Sequence, residues 1–126
     1  MALSLYDASV PALKLALTNL DAILGKAIAH AETLKVDSQV VAGQRLIMDM
    51  FPLAKQVQIA CDTAKGAAAR LAGIEAPKHE DNEATLEDLR ARCVLGVLRH
   101  RVFEIDRHHD LRTGRLHRGR GLQQVG

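Results

Sequence analysis

The chain has 126 residues, 48% of them hydrophobic and 25% charged, with a formal net charge of +2. That length fits one domain and is enough to bury a core without disulfide or metal staples. With one Tyr, two Phe and no Trp, the chain lacks the aromatic material that strands favour, while its many Ala and Leu residues are the best helix formers, so an all-β fold is excluded and an all-α one expected.

No apolar run approaches the roughly 18 residues that suggest a membrane span. The opening MALSLYDAS lacks the basic segment and apolar stretch of a signal peptide. Cys61 and Cys93, far apart in a chain with no export signal, read as two half-buried reduced thiols, with a single disulfide as the alternative. These features together predict a cytoplasmic protein with no membrane partner.

The first helix is the clearest element. Tyr6, Val10, Leu13, Leu17, Leu20, Leu24 and Ala27 alternate in steps of four and three, one apolar stripe with the mean spacing of a bundle or coiled coil. Pro11 is expected near the helix start, where a missing N–H does no harm, with Ser9 as a possible cap. The pattern fades after His30, giving a helix over about residues 4–33.

A second helical region is expected over residues 38–72. It opens at Asp37 or Ser38, both good cap residues, and runs through Val40, Val41, Leu46 and Ile47. Pro52 then removes a hydrogen bond and biases Phe51 away from helical angles, so a kink or a fresh start belongs there. Beyond it, Leu53, Val57, Ala60, Ala64, Ala68 and Leu71 would share one face, and Gly73 is placed to terminate the helix. The polar connector IEAPKHEDNEA follows, with Pro77 and four acids. Thr85 with Asp88 three residues on is a capping signature for a third helix over 85–100, which turns Leu86, Leu89, Cys93 and Val97 inward. The expected bundle thus occupies residues 1–100, as three antiparallel helices with short links.

Residues 101–126 form an Arg/His/Gly-rich tail in which the apolar pattern decays and order is expected to be poor. The charge shifts sharply just before it. Residues 1–90 carry nine Lys or Arg against twelve acids, whereas residues 91–126 carry no Lys, eight Arg, three acids and four of the six His. Such a composition is what GC-rich coding DNA yields out of frame. The segment from Cys93 on therefore reads as a possible frameshift product.

Two stretches carry a family resemblance: the opening MALSLYDASVPALKLALTNLDAILGKAIAHAE and, more specifically, DMFPLAKQVQIACDTAKGAAARLAG from Asp49 to Gly73. They resemble a bacterial domain-of-unknown-function family of the DinB/YfiT-like superfamily, over residues 1 to about 90. The resemblance implies an up-down-down-up four-helix bundle, often dimeric. It also implies a divalent metal held by three His in many superfamily members, one on the second helix and a pair on the fourth. It implies no particular activity, so whether the chain is an enzyme stays open. This chain has no His between Asp37 and Gly73, and nothing after Arg92 resembles the fourth helix. The expected fold is therefore an all-α DinB-like bundle with its fourth helix missing or altered, without the three-His site.

Three candidate sites remain. The tail histidines His100, His108, His109 and His117 are spaced too widely along a helix for one shared ion, and the adjacent pair would diverge, so no metal site is assigned to them. Asp49, Gln56 and Asp62 are the candidate ligand-binding residues, on the view that a kink at Pro52 turns Asp49 and Gln56 toward a cavity between helices. Cys61 reads as core packing rather than as a nucleophile. Arg112, Arg115, Arg118 and Arg120 form the one stretch suited to nucleic acid, but Phe103 alone offers a stacking surface, which argues against base recognition. A missing helix leaves an apolar groove, and a homodimer or a poorly soluble protein is the expected consequence. The reading that remains is an uncharacterised bundle with an unknown cofactor. The alternative is a non-catalytic module that binds a partner helix or an anionic partner.

Overall fold

The computed structural model describes residues 5–97. The tail of residues 101–126 with its arginines, and the four histidines His100, His108, His109 and His117, lie outside the described residues, as does any bundle helix beyond residue 97.

Helix α1 spans Leu5–Leu34. Its buried side chains are Val10, Leu17, Leu24 and Ala31, each seven residues from the last. Leu13, Leu20 and Ala27 pack beside the core from the intervening positions. This is the two-position heptad seam read from the sequence. Its N-terminal end differs from expectation. The helix starts well before Ser9, whose hydroxyl donates back to the Leu5 carbonyl instead of capping. Pro11 is therefore inside the helix and removes one N–H from its ladder. At the other end Lys35 adopts the left-handed conformation at φ 55°. That geometry lets the Val36 N–H reach the Ala31 carbonyl at 2.9 Å, closing the last turn.

The second helical region is two helices. Asp37 caps α2 (Ser38–Ala42) by accepting from the Gln39 N–H at 2.9 Å, and Gly43 ends it by donating to the Gln39 carbonyl. Residues 43–52 then form an irregular link closed by Leu53 N–H donating to the Gln44 carbonyl at 2.9 Å. Leu46 and Ile47, expected on a helix, lie in this link and are exposed. The break is longer than one proline dictates because the chain must turn between α2 and α3.

Helix α3 spans Leu53–Ala72, with Pro52 as its N-cap residue and Gly73 at φ 70° as its terminator. Its buried face carries Val57, Gln58, Cys61, Ala64, Ala68 and Ala69, while Ala60 and Leu71 are exposed. Val57, Ala64 and Ala68 of the expected face are buried, and Cys61, read from the sequence as core packing, is buried where Ala60 is not.

A fourth helix, α4, is described over residues 86–97. Its start is a reciprocal cap: the Asp88 N–H donates to Thr85 Oγ1, and the Thr85 N–H donates to Asp88 Oδ2, both at 3.2 Å. Leu86, Leu89 and Cys93 are completely buried. Arg90 lies across α1, its Nε 2.7 Å from Asp21 Oδ1, and Gly25 makes room for it: a Cβ there would sit 3.3 Å from the guanidinium carbon. Further along α4, Gly96 sits against Leu17, so α1 and α4 run antiparallel. Leu17, Leu24, Ala42, Val57, Cys61, Ala64, Leu86, Leu89 and Cys93 make one core to which all four helices contribute.

Lys35 bears the strain of a left-handed side chain at the end of α1. Lys35→Gly is expected to raise stability by about 0.5–1 kcal/mol, read as a higher urea midpoint at unchanged slope.

Candidate functional site

The residues singled out from the sequence are not brought together. Asp49 is an exposed residue of the 43–52 link. Gln56 is exposed on α3, its Nε2 donating to the Phe51 carbonyl at 2.8 Å. Asp62 lies six residues further along, about 9 Å up the axis and 240° around it. Pro52 breaks the helix outright, so no kink aims Asp49 at the bundle interior.

Asp62 belongs instead to an ion cluster centred on Arg92. Arg92 projects from the edge of the buried face of α4, and its side chain is only 5% exposed. Nη1 donates to both Glu83 carboxylate oxygens at 2.8 and 2.9 Å and to the Glu80 carbonyl at 3.3 Å. Nη2 donates to Asp62 Oδ1 at 2.9 Å and lies 3.1 Å from Asp81 Oδ1. Lys65 also holds Asp62, Lys55 holds Asp81, and Gln58 Nε2 donates to Glu83, each at 2.9 Å. Asp62, Asp81 and Glu83 thus face Arg92, Lys55 and Lys65, and the charges balance. Arg92 Nε is buried with no hydrogen-bond partner.

The balance of forces is visible in the titrations. Burial works against the charged form of Asp62, but the hydrogen bonds from Lys65 and Arg92 outweigh it and hold the carboxyl below its ordinary value. Asp81 is lowered by its hydrogen bond from Lys55, with Arg92 adding to it. Burial pushes Arg92 down, yet Glu83 and Asp62 together raise it above its ordinary value. Each charged side chain of this set is engaged by a partner of opposite sign, and its evident action is structural: Arg92 ties the 74–84 connector to α3 and α4. Sequence reasoning passed over Arg92, treating it only as a boundary. The available signal was its register, three residues after Leu89 and one before Cys93, which sets a cation beside the apolar stripe.

Beside this cluster Cys61 and Cys93 are both free, both buried, and 3.6 Å apart between sulfurs. They were expected half-buried as reduced thiols, with a disulfide as the alternative; both are buried and free. Cys61 on the buried face of α3 and Cys93 on that of α4 meet at the seam between the two helices.

A divalent metal held by three histidines does not fit these residues. The described residues contain only His30 on α1 and His79 in the connector, and among them no group of three or more His, Cys, Asp or Glu side chains is placed to hold an ion. The carboxylates that do converge are already engaged by Arg92, Lys55 and Lys65. Among the described residues no helix is long and apolar enough to cross a membrane.

An all-helical bundle whose seam is made by α1, α3 and α4 is a DinB-like arrangement. The crystal structure of a DinB family member from Shewanella denitrificans is similar, with 48% sequence identity and a TM-score of 0.71. The similarity covers 77% of this chain but 56% of that one, so this chain spans little more than half the length of that structure. The family described as a domain of unknown function, DUF1993, matches residues 5–99, and the chain belongs to it. The match runs beyond the composition break near residue 91, where Arg92 and Cys93 are both buried, so that break is not the edge of the family's sequence. No curated protein matches the chain.

Replacing Arg92 strands buried carboxylate charge. Arg92→Met is expected to cost about 2–3 kcal/mol at pH 7, less than for a fully buried pair because Asp62 and Asp81 reach water. Because Asp62 and Asp81 are depressed on folding, their contribution is present above the ordinary carboxylate range and lost as pH falls below about 4. Urea melts of the native chain and the variant should therefore converge between about pH 5 and pH 3. A difference that stays constant across that range would contradict the ion-pair origin.

Proposed function

We propose that the chain is a non-catalytic DinB-like interaction module that pairs with a second copy of itself through the link between α2 and α3. One observation carries this reading. Within six residues of that link, Leu46 is 88% exposed, Ile47 59%, Met48 93% and Phe51 60%. Scattered apolar residues are normal on a surface, but four large ones together are the mark of an interaction site.

The link is also pre-organised. Leu53 N–H donates to Gln44, Met50 N–H to Ile47, Arg45 to the Met48 carbonyl and Gln56 to the Phe51 carbonyl. A patch already held in shape loses less conformational entropy on binding than a mobile loop. Self-pairing is favoured because a twofold contact needs only one self-complementary patch. A family bundle that dimerises is in keeping with the resemblance read from the sequence. The Arg92 cluster supports the non-catalytic part of the reading, since its charged groups are mutually neutralised.

Sedimentation velocity over a concentration series tests the pairing. The native chain should run at twice its mass, and Leu46→Gln with Met48→Gln should weaken dimerisation at least about tenfold. Neither residue contributes to the core, so folding should be unaffected. A native chain that stays a compact monomer at every concentration, or a variant that dimerises as tightly, overturns the proposal.

A further inference from the structure

We propose that Cys61 and Cys93 form an oxidisable dithiol site that closes to an intramolecular disulfide between α3 and α4 when the chain meets a small hydroperoxide. The two sulfurs are 3.6 Å apart across the helix seam. A disulfide requires about 2.05 Å, so roughly 1.5 Å of further approach of the sulfurs completes it. Neither thiol has another cysteine to compete for it, since these are the only two in the chain.

The environment distinguishes the two sulfurs. Cys61 is 5% exposed and Cys93 is fully buried. The hydrogen bond with Cys93 lowers the Cys61 thiol against the effect of burial, and the Arg92 charge acts in the same direction. Cys93 is pushed up by that same hydrogen bond and by burial. Cys61, the one of the two that reaches the surface, is placed to meet an oxidant, and Cys93, fully buried against it, is placed to resolve. The narrow access selects small oxidants over bulky disulfides.

The chemistry balances without a further reactant. Cys61 thiolate attacks the terminal peroxide oxygen; the O–O bond breaks, giving Cys61 sulfenic acid and an alkoxide or hydroxide that takes up a proton. Cys93 then loses its proton as its sulfur attacks Cys61 sulfur; the S–O bond breaks and water leaves. Two thiols are oxidised by two electrons, and one peroxide is reduced to an alcohol (or water) plus water.

The test treats the full chain with hydrogen peroxide in native buffer, then unfolds it in N-ethylmaleimide and weighs it. The expected product is about 2 Da lighter than the untreated chain, takes up no maleimide, maps to a peptide joining Cys61 to Cys93, and regains two labels after dithiothreitol. In Cys93→Ser the reaction should stop at a Cys61 sulfenic acid trapped by dimedone. In Cys61→Ser thiol loss should slow by about tenfold or more. Two free thiols after peroxide treatment, irreversible oxidation without a disulfide, a link between chains, or a disulfide that forms only in urea would each overturn the proposal. The native-chain measurement decides the matter even if a serine variant fails to fold, and it is independent of whether the chain dimerises.

Discussion

The fold depends on a guanidinium placed where a bundle of this size least tolerates a charge. Arg92 sits on α4 between two fully buried residues, Leu89 and Cys93, and only the carboxylates of Asp62, Asp81 and Glu83 make that position tenable. The desolvation of one cation and its partners costs several kcal/mol before their attraction offsets it. Hydrophobic residues replacing the arginine and its carboxylates together would give comparable stability. The cluster adds directionality. The forked Nη1 contact with Glu83 admits one docking of the connector, and the acids at 81 and 83 lock a segment that has no regular structure of its own.

Around that anchor the bundle is built from small side chains. Ala64, Ala68 and Ala69 on α3, and Gly25 and Gly96 at the α1–α4 seam, let the helices come close enough for Leu17, Leu24, Leu86 and Leu89 to fill the shared interior. Such packing makes the rotational setting of each helix consequential. The setting of α3 that buries Val57, Cys61, Ala64 and Ala68 places one thiol against another and puts Asp62 within reach of Arg92. The ion cluster and the dithiol are thus adjacent products of a single helix orientation.

Among the described residues the charged and the apolar side chains are gathered in separate places. The acids converge on arginine and lysine, and the exposed apolar side chains converge in the link between α2 and α3. Dividing the chain in this way separates a rigid interior from a pre-shaped contact surface. The comparison with a longer DinB family structure, of which this chain spans 56%, leaves room for other roles in the rest of that architecture.

Much of the local structure was legible in the residues. The heptad spacing of α1, the Thr85–Asp88 cap, the break at Pro52 and the terminator Gly73 each follow from short-range sterics and hydrogen bonding within a few positions of the chain. Helical class follows from Ala and Leu abundance alone. The candidate site was not legible in the same way. Asp49, Gln56 and Asp62 share a sequence neighbourhood but not a place, because the link turns before α3 begins. Arg92, Asp81 and Asp62 are separated by up to 30 residues and meet only when α3 and α4 dock. Local periodicity can specify that a residue faces inward. Which other residue it meets there depends on helix rotation and register, and those are settled by close packing across the whole bundle.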